Sequence, residues 1–159
     1  MKNHTLTIII PVYNEQDNLP RVQKELQAYM NTALIPIKVL FVNDGSNDRS
    51  QQIIESICSV NADFNYISFD KNYGLSAAIK AGFDTVTTSL TGYIDSDLQT
   101  DPKDFDLLLD FIETHDLVTG VRASRKDSYV KNTSSKIANG IRRSFTKDGM
   151  DDTGCPLKI

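Results

Sequence analysis

The chain has 159 residues, 40% of them hydrophobic and 24% charged, with a formal net charge of -4. That is enough for one globular domain with a real core, and it excludes a disordered polyelectrolyte and a generally basic nucleic-acid binder. No apolar run approaches the roughly 20 residues that a membrane-spanning helix needs, and the N-terminus lacks the pattern of a secretory signal, so a cytoplasmic location is expected.

Residues 6 to 12 (LTIIIPV) and 38 to 43 (KVLFVN) read as strands buried on both faces of a parallel sheet, being short, β-branched and aromatic. Between them, Leu19, Val22, Leu26 and Met30 recur at helical spacing, Asp17 and Asn18 can cap, and Pro20 suits a first turn. The alternation continues with a helix over 48–60, a strand over 65–69, a helix over 76–88 and a strand over 91–95. A helix over 102–115, carrying Phe105, Leu108, Leu109 and Ile112, and a strand over 117–121 complete it. Such alternation predicts an α/β sheet that is mostly parallel. Cys58 and Cys155 lie in no CxxC motif and no Cys/His cluster, so reduced thiols are expected rather than a disulfide or zinc.

From Arg122 to Lys147 eight basic residues stand against one acid, Asp127, so this stretch carries about +7 and the remainder about -11. A solvated face is one explanation, and a site for phosphates or an anionic membrane surface is the other. The segment 122–150 is expected to be mobile without ligand. The chain stops inside what reads as a strand, CPLKI, so a single domain over 1–159, cut short at its C-terminus, is expected.

In an open parallel sheet, ligands bind beyond the carboxyl ends of the strands. Three polar clusters fall there: Pro11-Val12-Tyr13-Asn14-Glu15, Asn43-Asp44-Gly45-Ser46 and Asp95-Ser96-Asp97-Leu98-Gln99. Two carboxylates two residues apart repel unless a cation compensates, and magnesium or manganese, held by Asp95 and Asp97 with Gln99 adding a neutral oxygen, would do so. The competing explanation is a loop whose aspartates cap the next helix. Gly45 permits a tight turn, and Ser46, Asn47 or Asp48 can cap the helix after it. Asp44 stands before that turn and could accept from a base N–H or a ribose hydroxyl. Asn72-Tyr73-Gly74-Leu75-Ser76 repeats the format, with Gly74 as turn and Ser76 as cap. His4 and His115 have no partners at ligand or triad spacing and receive no catalytic role.

Taken in order, PVYNE, VNDGSNDRS, DKNYGLSAAIKAGF, DSDLQTDP, LVTGVRASRKDS and DTGCPLKI span nearly the whole chain. Together they resemble the motifs of family 2 inverting glycosyltransferases with the GT-A fold, a Rossmann-like α/β/α sandwich, and most of all the branch that transfers sugars to polyprenyl or dolichol phosphate. The resemblance implies that Pro11, Tyr13, Glu15 and Asp44 hold the nucleoside of a UDP- or GDP-sugar. It implies that Asp95, Asp97 and Gln99 hold Mg2+ or Mn2+ on the diphosphate, with Asp97 catalytic, and that Arg122 and Arg125 meet the acceptor phosphate or the donor diphosphate. Many relatives read Asp-Asp-Gly-Ser where this chain has Asn43-Asp44-Gly45-Ser46. The family also continues further, often into amphipathic or membrane-spanning helices, so the full-length protein is expected to work at the cytoplasmic face of a membrane.

The implied reaction moves a hexosyl group to polyprenyl phosphate with inversion. That acceptor is already an anion at neutral pH and needs no strong general base. Two alternatives stand beside it. A sugar-hydroxyl acceptor would need a carboxylate base, for which Asp151 and Asp152 are candidates, and a nucleotide-sugar binding module would need none. A nicotinamide oxidoreductase is excluded, because PVYNEQ has no glycine where a G-x-G-x-x-G turn is required.

Overall fold

The computed structural model describes residues 4–97, 99–120 and 157–159. Four parallel strands, β1 (Leu6–Val12), β2 (Ile37–Asn43), β3 (Phe64–Ser68) and β4 (Leu90–Tyr93), lie in the order β3-β2-β1-β4. The crossing helices are α1 (Leu19–Met30), α2 (Ser50–Val60) and α3 (Leu75–Thr85), and a 3-10 turn at Pro102–Asp104 leads into α4 (Phe105–Leu109).

β1 is central, paired with β2 from Leu6↔Ile37 to Val12↔Asn43 and with β4 from Leu6↔Leu90 to Ile9↔Tyr93. All seven of its residues are buried, which is why it reads as an unbroken apolar run. Alternate side chains go to opposite faces. Leu6, Ile8, Ile10 and Val12, with Val39 and Phe41 of β2, share the larger core with Leu19, Val22 and Leu26 of α1, Ile54 and Ile57 of α2, and Phe105 and Leu109 of α4. Ile9, Leu40 and Val42 belong to a second core on the other side, completed by Ala78 of α3. Helices thus cover both faces of a parallel sheet, as the alternation predicts.

The helix starts differ in detail from expectation. Asn18 occupies the cap position of α1 without a side-chain cap bond; its amide instead donates to Glu15 Oε2 at 2.6 Å. Pro20 sits in the first turn, where its missing N–H costs nothing. The cap of α3 is Gly74, at φ 92°, and not Ser76, which lies inside the first turn.

The expected helix over 102–115 is much shorter. Beyond Leu109 the backbone tightens to i→i−3 bonds, Phe111 N–H to Leu108 O at 3.1 Å and Thr114 N–H to Phe111 O at 3.2 Å. Phe111 O accepts the Thr114 hydroxyl at 3.2 Å and His115 N–H at 3.1 Å as well, so the segment after α4 continues as turns and not as a regular helix.

The stretch read as a fifth strand over 117–121 also differs. Thr119 and Tyr93 both bridge Lys158, each in the antiparallel sense. The short C-terminal segment 157–159 therefore lies between β4 and 118–120, bound by Val118 N–H to Ile159 O at 2.9 Å and Gly120 N–H to Leu157 O at 2.9 Å. A strand pairing decided by residues about 40 positions away carries no local signal. Gly92 permits this approach, since a Cβ there would stand 2.5 Å from the Lys158 carbonyl oxygen and 2.6 Å from the Phe105 ring.

Candidate active site at the carboxyl edge of the sheet

A cleft of about 390 Å³ opens at the carboxyl ends of β1, β2 and β4, and Pro11, Tyr13, Glu15, Asp44, Asp95 and Asp97 all line it. The three polar clusters expected from the sequence do converge. Why the cleft opens here is visible in the ladder. Ile94 N–H donates to Ile9 O on the β4 side of β1, and Asp44 N–H donates to Val12 O on the β2 side. By the alternation of strand backbone, Pro11 faces the β4 side, just where the β4 pairing has ended at Ile9↔Tyr93. Proline's missing donor therefore leaves no broken bond, and the sheet parts at that point.

The β2 turn is fixed by close approach. Gly45 adopts φ 66°, and a Cβ on it would lie 2.2 Å from the Lys71 carbonyl carbon and 2.6 Å from Asn72 N. Only glycine meets both conditions. The contact presses the β2 turn against the loop before α3, and there Asp44 is bound. Its carboxylate, 3% exposed, accepts Tyr73 N–H at 2.7 Å on one oxygen and Gly74 N–H at 2.9 Å on the other. Expected as a ligand contact, Asp44 lines the cleft and also braces its third wall, formed by Asn72, Gly74 and Leu75. Sequence reading treats 72–76 only as turn and cap; its position after β3 on the same edge was the available signal.

Asn43 is buried and fully engaged by its neighbours. Its carbonyl accepts Ser46 N–H at 3.1 Å and the Ser46 hydroxyl at 2.6 Å, and its NH2 donates to Gln51 Oε1 at 2.6 Å. Both ends of the amide are in use.

On the β4 side, Asp95 lines the cleft half-buried, Ser96 is buried and Asp97 is exposed at the rim. Asp97 Oδ1 accepts Gln99 N–H at 3.0 Å, a local turn that leaves its second oxygen outside that bond. Gln99 is exposed and stands outside the lining. Among the described residues no group of three or more His, Cys, Asp or Glu converges as a ready metal cage. Two carboxylates on a rim are nonetheless the donor set that magnesium or manganese takes when waters and substrate phosphates complete the shell. Nearby, Asp101 accepts Lys103 N–H at 3.0 Å and caps the 3-10 turn. Burial, and then the Asp101 charge, raise the Asp104 carboxyl.

Arg122, Arg125, Asp151, Asp152, Cys155 and the basic stretch 122–150 lie outside the described residues. Cys58 is half-buried, and burial pushes its thiol up to about 11, which suits an unreactive packing residue.

The Glycosyl transferase family 2 profile matches residues 7–158. The chain belongs to this family. It is 35% identical over 157 residues to the undecaprenyl-phosphate 4-deoxy-4-formamido-L-arabinose transferase of Pseudomonas fluorescens (strain Pf0-1), covering 98% of this chain and 46% of the relative. The chain thus spans about half the length of the curated relative it matches. Among solved structures, glucosyl-3-phosphoglycerate synthase from Mycobacterium tuberculosis, in complex with phosphoglyceric acid, superposes with a TM-score of 0.71 at 14% identity, over 98% of this chain and 56% of that one. The mannosyltransferase PcManGT from Pyrobaculum calidifontis, in complex with GDP-Man and Mn2+, superposes with a TM-score of 0.59 at 17% identity, over 74% of this chain and 35% of that one. These likenesses establish the GT-A type of α/β fold. No helix among the described residues is long and apolar enough to cross a membrane.

Proposed function

We propose that this chain is the donor-binding part of a metal-dependent inverting glycosyltransferase that moves a hexose from a nucleotide-diphosphate sugar to a polyprenyl phosphate. The observation that carries the reading is the placement of Asp95 and Asp97 on the same cleft as Tyr13, Glu15 and Asp44. Pro11, Tyr13, Glu15 and Asp44 would hold the nucleoside. Asp95 and Asp97, with Gln99 at the edge, would hold Mg2+ or Mn2+ against the diphosphate. A bound divalent ion supplies charge neutralisation for the leaving diphosphate, a role that requires no proton donor from the protein. The Mn2+ in the similarly folded mannosyltransferase supports this choice of ion.

The acceptor assignment is supported by the 35% identical relative, whose name states an undecaprenyl-phosphate substrate. Sheet geometry supports it too. Since 157–159 runs antiparallel to β4, and 118–120 antiparallel to 157–159, Gly120 and Leu157 both lie at the carboxyl edge beside Tyr93, two positions before Asp95. Arg122 and Arg125 follow Gly120 by two and five positions in the sequence, and their forked guanidinium groups would meet a phosphate nucleophile. Such a basic segment would also hold the protein to an anionic membrane surface. Because the acceptor phosphate is ionised, attack on the anomeric carbon needs no general base, and attack opposite the leaving group inverts the centre.

The test is transfer of radiolabelled sugar from UDP- and GDP-hexoses to polyprenyl phosphate or to a neutral sugar alcohol by the full-length protein. Label in the lipid phosphate product, lost on Arg122→Ala with Arg125→Ala, is expected. Label in the neutral sugar alcohol instead would overturn the acceptor assignment.

A further inference from the structure

Asn14 lies between two cleft residues, Tyr13 and Glu15, yet is not itself part of the lining. Among the described non-glycine residues it alone has a positive φ, 57°. Asparagine tolerates this left-handed conformation better than most residues, but the surroundings must still hold it there. They do so by hydrogen bonds across to the loop after β2. Asn14 N–H donates to the Ser46 hydroxyl at 3.0 Å, and Asn14 Oδ1 accepts Asn47 N–H at 2.8 Å. The next residues continue the pattern: Glu15 N–H donates to the Ser50 hydroxyl at 2.9 Å, Gln16 N–H to Asp48 Oδ2 at 3.1 Å, and Arg49 N–H to Gln16 Oε1 at 3.1 Å. The ladder between β1 and β2 ends at Val12↔Asn43, so beyond it these side chains do what strand pairing no longer does.

We infer that the clasp of Asn14 on Ser46 and Asn47, through its N–H and its Oδ1 respectively, is a positioning device for the donor nucleotide, an inference that rests on the reading of the cleft given above. The clasp ties the loop carrying Tyr13 and Glu15 to the turn carrying Asp44, and so sets the spacing of the two walls between which a nucleoside sits. Ser46 is suited to this because its hydroxyl accepts from Asn14 while donating to the buried Asn43 carbonyl at 2.6 Å, so its orientation is fixed from inside the fold. Neither Asn14 nor Ser46 needs to touch the ligand; both act through Tyr13, Glu15 and Asp44. Groups acting as one unit are non-additive on mutation, and this separates a clasp from two unrelated contributions.

The experiment is calorimetric titration of UDP and of GDP, with Mn2+ present and well below the melting temperature, into the full chain and into Asn14→Gly, Ser46→Ala, Ser46→Thr and the Asn14→Gly/Ser46→Ala double variant. Asn14→Gly accommodates the left-handed backbone and keeps the backbone N–H that reaches Ser46, while removing the Oδ1 bond to Asn47 N–H, so it is a folded test of the Asn47 arm of the clasp, and Ser46→Ala tests the other arm. For whichever nucleotide the unmodified chain binds, each of Asn14→Gly and Ser46→Ala should weaken affinity about tenfold. The double variant should be hardly weaker than either single one, and Ser46→Thr, which keeps the hydroxyl, should bind within about twofold of the unmodified chain. Affinity unchanged in Asn14→Gly, or losses that simply multiply in the double variant, would overturn the clasp while leaving the cleft assignment intact. An unmodified chain that binds neither nucleotide would overturn the cleft assignment, and the clasp with it.

Discussion

The Asp44 carboxylate and the Gly74 backbone are joined at 2.9 Å across the carboxyl edge of the sheet, with Tyr73 N–H on the second carboxylate oxygen at 2.7 Å. This one side chain connects the end of β2 to the start of α3. Asp44→Ala should therefore loosen the third wall of the cleft as well as remove a ligand contact. Leaving two backbone N–H groups without their partner costs roughly 1.5–3 kcal/mol for each charge-assisted bond. Urea melts should show a loss of at least about 2 kcal/mol.

Gly45→Ala should be among the most damaging small substitutions in the chain. Its φ of 66° disfavours alanine, and the new methyl would meet the Lys71 carbonyl carbon at 2.2 Å. The left-handed conformation alone costs about 1 kcal/mol, and the contact with backbone cannot be relieved by turning a side chain. Chemical denaturation should show a destabilisation above about 2 kcal/mol, with nucleotide affinity falling in parallel.

Asn43→Asp changes one atom of a buried side chain, and here it should be harmful. The amide's NH2 donates to Gln51 Oε1, which also accepts the Ser68 hydroxyl at 2.5 Å, while Gln51 Nε2 is engaged with Glu55 at 2.7 Å. A carboxylate in that place would face an acceptor and would be buried beside it. Thermal unfolding should register a loss of about 1–3 kcal/mol, the range for an unsatisfied buried polar group.

The loop clasp gives acid sensitivity of a stated sign. Partial burial acts to raise the Asp48 carboxyl, but hydrogen bonds from the Ser50 side chain and N–H and from Gln16 N–H prevail and hold it below the ordinary carboxylate range. A folded-state pKa below the unfolded one adds stability above the unfolded value, near 3.9, which is lost as pH falls through the folded value. Asp48→Asn should therefore flatten the acid limb of the stability curve below about pH 4, as followed by thermal melts across pH. It should leave the slope near pH 7 unchanged.

The parallel sheet and its burial on both faces were legible because β1 and β2 are apolar on both faces and α1 repeats Leu19, Val22 and Leu26 at helical spacing. The cleft residues were legible for a related reason: parallel strands deliver their carboxyl ends to one edge, so Tyr13, Asp44 and Asp95 had to meet there. What escaped was decided at long range. The pairing of Lys158 with Tyr93 and Thr119 depends on a segment far along the chain. The second task of Asp44, bracing Tyr73 and Gly74, follows from a loop approach that Gly45 permits and no periodicity records.

The most direct test of the account is a calorimetric titration of UDP and GDP into the chain with Mn2+ and again with EDTA, repeated on Asp97→Asn. Asp97 is exposed at the rim, so the substitution should leave the melting temperature nearly unchanged, within the roughly 0.5 kcal/mol usual for surface positions. The account predicts binding of one nucleoside diphosphate that requires the metal and is lost in Asp97→Asn. Equal affinity with and without Mn2+, or unaltered binding by Asp97→Asn, would contradict the assignment of Asp95 and Asp97 as the metal pair.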